Sequence, residues 1–264
     1  MISLYTRVLT NLLACGDLSH ASKLLVICGG SKDRAILLDL GFSNVVISNL
    51  DTAVEQQDIA PFAWSLQNAE ELSFDANSFD FVIVHLGLHH CYSPHTALGE
   101  MLRVSRIGVV VFEPKDGWLT RLGVRLGFGQ QYEDSAVYHS GFRHGGVVNS
   151  EIPNFVYRFT AHELKKTVNS FLPEGRHNFR FYWAMNIPWS RLTMMKNPIH
   201  RFLMKVIAPV IERLGRLAPF ANNLAAVILK AKRPDDLHPW IRFDDDGKTC
   251  VNRDWLRDKY ERRS

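Results

Sequence analysis

Two stretches limit what this chain can fold into. "FVIVHL" (81–86) and "VVVF" (109–112) are near-continuous apolar runs of strand-forming residues, too short for buried helices. Runs of this kind belong to strands covered on both faces, as in a parallel sheet sandwiched by helices. Similar segments recur, so strands are predicted at 23–28, 44–49, 62–66, 79–86, 108–114, 179–187 and 224–231. Helical periodicity falls between the first two (Ala35, Ile36, Leu38, Leu40) and again over 96–105 and 161–171. The alternation predicts a doubly wound α/β fold with two late strands.

The N-terminal "MISLYTRVLTNLLACGDL" carries Arg7 within its apolar part and reads as an amphipathic helix covering the sheet, not as a signal peptide. No apolar run is long enough to span a bilayer. Four widely spaced cysteines argue against a disulfide framework or zinc ribbon and fit a reducing cytoplasm. The net charge of +4 is not gathered into a basic block, and no nucleic-acid-binding signature is present.

Two regions interrupt the rhythm. Residues of about 116–153, rich in Gly, Tyr and His, are too long for a plain connection and predict a lid or substrate-side insertion. Residues of about 190–219 hold an amphipathic helix pair with a kink at Pro209. Its basic flank (Lys196, Arg201, Lys205, Arg213, Arg216) would suit an anionic membrane surface, but packing on its own domain or on a second subunit is the favoured expectation. Residues 1–232 then form the main domain and 233–264 a C-terminal extension, with "DDDGK" (244–248) an exposed turn.

Ligands of open parallel sheets bind beyond the carboxyl ends of the strands. The first such end is Cys28-Gly29-Gly30-Ser31. The glycines allow close backbone approach, and the following helix offers free N–H groups. Asp33, in the first helical turn, disfavours a phosphate but suits an ammonium, so the turn fits a ligand with an amino-acid moiety; helix capping is its alternative role. At the second strand end, Asn49 and Asp51 are short polar groups able to bond a ribose diol.

The pattern Asn68-Ala69-Glu70-x-Leu72-x-Phe74, followed by Ser78-Phe79-Asp80-x-Val82, resembles the central motif of class I S-adenosylmethionine-dependent methyltransferases. "EMLRVSRIGVVVFEP" (100–114) is similar to that family's next helix and strand. The resemblance spans roughly residues 23–114. It implies a Rossmann-like, seven-stranded, mostly parallel sheet and S-adenosyl-L-methionine as cofactor. It also implies that Gly29 and Gly30 face the methionine part, Asn49 and Asp51 the ribose, and Asn68 and Ala69 the adenine. His85 and Leu86 would line the pocket. Ile27 and Asn49 depart from the family pattern, at the first glycine and the acid.

His89-His90 follows the fourth strand, at the mouth of the expected site, and offers a general base for a hydroxyl acceptor, with His89 slightly preferred. Glu113 closes the fifth strand and points to a substrate contact or a structural carboxylate. The insertion adds Tyr132, Glu133, Tyr138, His139, Arg143 and His144; of these Tyr132, His139, Arg143 and His144 are expected to reach substrate. No carboxylate–histidine spacing argues for a metal. The expected activity is methyl transfer to a small polar acceptor, a sugar or secondary-metabolite hydroxyl. The alternatives are a nicotinamide-dependent oxidoreductase, disfavoured by the missing third glycine, and a non-catalytic scaffold subunit.

Overall fold

A computed structural model describes residues 3–51, 56–187, 198–231 and 234–261. The strands are β1 (Leu24–Ile27), β2 (Val45–Asn49), β3 (Ala63–Leu66), β4 (Phe79–His85), β5 (Ser105–Pro114), β6 (Asn178–Ala184) and β7 (Asn223–Leu229). They form one seven-stranded sheet in the order β3-β2-β1-β4-β5-β7-β6. The first five pair in parallel, and β7 inserts antiparallel between β5 and β6. This is the Rossmann-like methyltransferase architecture.

The helices that cover the sheet are α1 (Leu4–Ala14), α2 (Ser31–Asp39), α4 (Pro94–Val104) and α7 (Ala161–Phe171), with a single turn, α3, at Gln56–Ile59. Side-chain alternation along β4 separates two cores. Phe81 and Ile83 join Tyr5, Val8, Leu9 and Leu12 of α1 on one face. Val82 and Val84 join Leu98, Met101 and Leu102 of α4 and Leu164 and Val168 of α7 on the other. The expected N-terminal helix does cover the sheet. Its cap is Ser3, whose side chain accepts from the Thr6 N–H.

The weakly periodic insertion contains two short helices, α5 (Trp118–Arg125) and α6 (Asp134–His139). It is strapped down by a short backbone ladder: Glu133 N–H donates to Asn154 O at 2.9 Å and Val156 N–H to Gln131 O at 2.9 Å. Of the expected helix pair, residues 188–197 lie outside the described residues; the described part is a helix, Pro198–Leu214, that runs through Pro209, followed by a 3₁₀ turn. Its Ala208 and Ile211 pack on Ile187 and Met185, while Phe202, Val206 and Val210 are exposed. Lys196 and the side chains of Arg201 and Lys205 lie outside the described residues. The "DDDGK" turn joins a small hairpin, Ile241–Phe243 with Thr249–Val251. No described helix is long and apolar enough to cross a membrane.

Candidate functional site

The carboxyl ends of β1 and β4 are pulled into unusual backbone conformations. Cys28 (φ 52°) and Leu86 (φ 57°) both take the left-handed region, which is costly for residues with a side chain. Glycines make this crowding workable. A Cβ on Gly29 would lie 2.7 Å from Val26 Cγ1 and 2.9 Å from Ile47 Cγ2, and one on Gly87 would lie 2.4 Å from Cys28 Cβ. Two adjacent strand ends are thus brought close enough to share one ligand floor.

Three cavities meet at Leu86. The first, about 180 Å³ and called the polar cavity for the Asn49, Asp51, Gln67, Asn68, Glu70 and His90 side chains in its lining, also has Cys28, Leu50, Ala69, Gly87 and Cys91 on its wall. Gly145, Gly146, Val148 and Asn149 of the insertion roof it. The second, about 560 Å³, is mostly apolar: Leu119, Leu122, Val124, Leu126, Phe128 and Val156 surround a polar end made by His89, His90 and Glu133. The third, about 430 Å³, lies on the side of Tyr5, Lys32, His85 and Glu113. Leu86 and His90 line both the polar and the apolar cavity.

In the polar cavity the side chains are held by local bonds. Asn49 Nδ2 donates to Gly29 O at 3.0 Å, and its Oδ1 accepts from Asp51 N–H at 3.1 Å. The residue that replaces the family's acid therefore ties the glycine turn to the β2 end, and presents Asp51 to the cavity. Asp51 Oδ2 lies 3.9 Å from His144 Nδ1 of the roof. Asn68 Oδ1 accepts from Glu70 N–H, and Glu70 accepts from the N–H groups of Tyr92 and Ser93.

Several expected contacts fall elsewhere. Asp33 is buried, accepts from Gly30 N–H at 3.0 Å and caps α2, beneath His85. It does not line the polar cavity, so the capping role is the one the structure supports; burial also raises its pKa, against a bond from Gly30 N–H that lowers it. His85 lines the third cavity, where burial and then Lys32 push its pKa down to about 4 and keep it neutral. Gly29 and Gly30 shape the turn without lining the polar cavity. Among the insertion residues, Tyr132 packs edge-on with Phe155 and Arg143 bonds Ser140 O, both exposed, and His139 is exposed against Tyr138. None of Tyr132, His139, Arg143 or His144 lines the apolar cavity; the insertion roofs the polar one through its glycines instead.

The histidine pair is built more elaborately than its sequence suggests. Glu113, 1% exposed, accepts from the N–H groups of Gly87 (2.9 Å) and Leu88 (2.7 Å) through Oε1. Its Oε2 receives His89 Nδ1 at 2.7 Å. Both carboxylate oxygens of Glu113 are thus engaged by the His89 turn, which suits a structural carboxylate. Glu133 Oε2 stands 3.3 Å from His89 Nε2 and 3.4 Å from His90 Nε2. Asn154 Nδ2 donates to His89 O at 3.0 Å.

These contacts set opposite protonation tendencies in adjacent rings 4.5 Å apart. Burial alone would lower the pKa of His89, but the charge and hydrogen bond of Glu113, with those of Glu133, raise it to about 10. For His90, burial and then the neighbouring His89 charge push the pKa down. The bond to His89 holds Glu133 below the usual carboxylate range, against its own burial. Glu133 was among the insertion's polar candidates, but its pairing with the histidines, and the part taken by Asn154, arise only through the fold.

Residues 13–112 match a family model described as a methyltransferase domain. That stretch is similar to a methyltransferase domain, and the seven-stranded sheet has the class I methyltransferase fold. Demethylmenaquinone methyltransferases of Bacillus cereus and Bacillus anthracis are 30% identical to it over 123 residues, 42% of this chain and 52% of theirs. The chain thus spans about half the length of the curated relatives it matches. Among solved structures, the methyltransferase fold is shared with a magnesium protoporphyrin IX methyltransferase from Synechocystis with bound SAH (TM-score 0.52, 11% identity, 85% of this chain and 81% of that one). It is shared as well with a putative sarcosine dimethylglycine methyltransferase from Galdieria sulphuraria (TM-score 0.52, 13% identity, 86% and 85%).

Proposed function

We propose that the chain is an S-adenosylmethionine-dependent methyltransferase acting on an oxygen of an acceptor with an apolar body. The observation that carries this reading is the meeting, at Leu86 and His90, of a polar cavity roofed by Gly145 and Gly146 with a larger apolar one whose polar end is His89, His90 and Glu133.

In this reading Asp51 bonds the ribose, Asn68 and Ala69 flank the adenine, and the Gly29–Gly30 turn shapes the methionine end. S-adenosylmethionine supplies an electrophilic methyl group carried on a sulfonium. The protein's own contribution is alignment, which is worth several kcal/mol of the barrier, and removal of the acceptor proton. Of the sugar or secondary-metabolite hydroxyl expected from the sequence, the apolar walls favour an aromatic or aliphatic acceptor over a sugar. The relatives named for demethylmenaquinone point the same way.

The proton acceptor is the His90–Glu133 side of the cluster. His89 already holds its proton, between two carboxylates, and so serves to position Glu133. His90 is neutral and reaches both cavities. The experiment is a methyl-transfer assay with isotopically labelled S-adenosylmethionine and a panel of phenols, aliphatic alcohols and sugars. Label on phenols or apolar alcohols and not on sugars supports the reading; label on sugars alone overturns the acceptor assignment.

A further inference from the structure

His89, His90 and Glu133 place three metal-ligating atoms within 4.8 Å of one another. All three belong to groups that commonly bind divalent transition metals. Their geometry is unusual for a hydrogen-bonded cluster. His90 Nδ1 faces Gly146 O at 3.4 Å and His89 Nδ1 faces Glu113 at 2.7 Å, so each imidazole has its natural proton on Nδ1. Both Nε2 lone pairs then point at the same carboxylate oxygen, at 3.3 and 3.4 Å. Acceptors facing acceptors require a positive charge between them.

A proton on His89 is one way to supply it. The separations also suit a cation. Ligands at about 2.0–2.1 Å from a tetrahedral Zn²⁺ stand about 3.3–3.4 Å apart along each edge of the tetrahedron. The surroundings fit too. Glu113 grips the far nitrogen of His89 as carboxylates do behind metal-bound histidines, fixing tautomer and ring direction. Two carboxylates with two neutral imidazoles carry a charge of −2, which a divalent cation neutralises. All three ligands come from the wall of the apolar cavity, leaving the fourth coordination position open to it.

We propose that His89 Nε2, His90 Nε2 and Glu133 Oε2 form a site for a divalent transition-metal cation, Zn²⁺ first among them, whose open position faces the acceptor cavity. The use made of this site rests on the methyl-transfer reading above. An acceptor hydroxyl on the cation loses its proton to solvent more readily, as zinc-bound water does. The new O–C bond then forms as the S–C bond of the donor breaks, leaving a thioether. With the cation in place His90 is a ligand, and the proton leaves from the cation-bound oxygen to solvent; the His90–Glu133 base serves only the metal-free chain.

The test uses the full chain, stripped with a chelator and titrated with ZnCl₂ by calorimetry, with metal content read by mass spectrometry. Replacement by Co²⁺ reports the coordination geometry through its visible absorption. One equivalent per chain with a tetrahedral cobalt spectrum is the expected result. Glu113→Gln should weaken binding by about 10–100-fold, and the double variant His90→Gln/Glu133→Gln should lose it, each with cooperative thermal unfolding retained. Absence of binding in the unaltered chain, or undiminished binding in the double variant, overturns the site. Titration of the same preparations with S-adenosylhomocysteine separates the two readings: zinc without the thioether leaves the site standing and the methyltransferase reading refuted, and the reverse leaves the opposite.

Discussion

Glu113 Oε2 and His89 Nδ1 lie 2.7 Å apart across the ends of β5 and β4, both almost fully buried. This pair fixes the direction in which the second nitrogen of His89 points, and with it the position of Glu133 and the polar end of the acceptor cavity.

The pair makes stability depend on pH. His89 binds its proton more tightly in the folded chain, with a pKa of about 10, than in the unfolded chain, about 6.5. Its stabilisation is complete below the unfolded value and is lost as pH rises through the folded one. Between the two, unfolding free energy should fall by at most about 1.4 kcal/mol per pH unit. Denaturant titrations from pH 6.5 to 10 should show this slope in the metal-free chain and its disappearance in His89→Gln.

Gly29 is where the turn tolerates no side chain. The added methyl of Gly29→Ala would press on Val26 and Ile47 at under 3 Å. Overpacking of this kind costs about 1–3 kcal/mol, to be read as a lower midpoint of urea unfolding. An unchanged midpoint would mean that β1 and β2 are less tightly set than described.

Asp51 is presented to the polar cavity by the Asn49 amide. If it bonds the ribose, Asp51→Ala should weaken S-adenosylhomocysteine by about 1–3 kcal/mol, the cost of a lost charged hydrogen bond. Calorimetry would show instead an unaltered affinity if Asp51 serves only the backbone turn and His144.

Leu122 lines the apolar cavity and is partly exposed on α5. Leu122→Asp should remove about 1.5–3 kcal/mol of apolar burial for an acceptor. Steady-state kinetics would register this as a KM raised at least about tenfold, with cofactor affinity unaltered. Equal loss of both would show that α5 shapes the whole site and not the acceptor cavity alone.

The sheet was legible because β-branched runs such as "VVVF" leave few alternatives to a doubly covered strand. Strand ends moved by only a few residues, from 79–86 to Phe79–His85 for β4. The antiparallel insertion of β7 beside β5 was not legible, since an apolar strand carries no mark of its direction. Within the site, the strand-end residues Asn68, Ala69 and Leu86 were readable from their place in the motif. Glu133 as a partner of His89 was not, because a two-residue backbone ladder to Asn154 and Val156 brings it there. Asp33 shows the opposite failure: its charge suggested a ligand, but at the third helical position the carboxylate reaches back to the cap N–H.

The most direct measurement is calorimetric titration of the chain with S-adenosylhomocysteine and, separately, with NAD. Binding of the thioether in the micromolar range, about −7 to −8 kcal/mol, with no heat from NAD, is the predicted result. Tight NAD binding without any response to S-adenosylhomocysteine would contradict it.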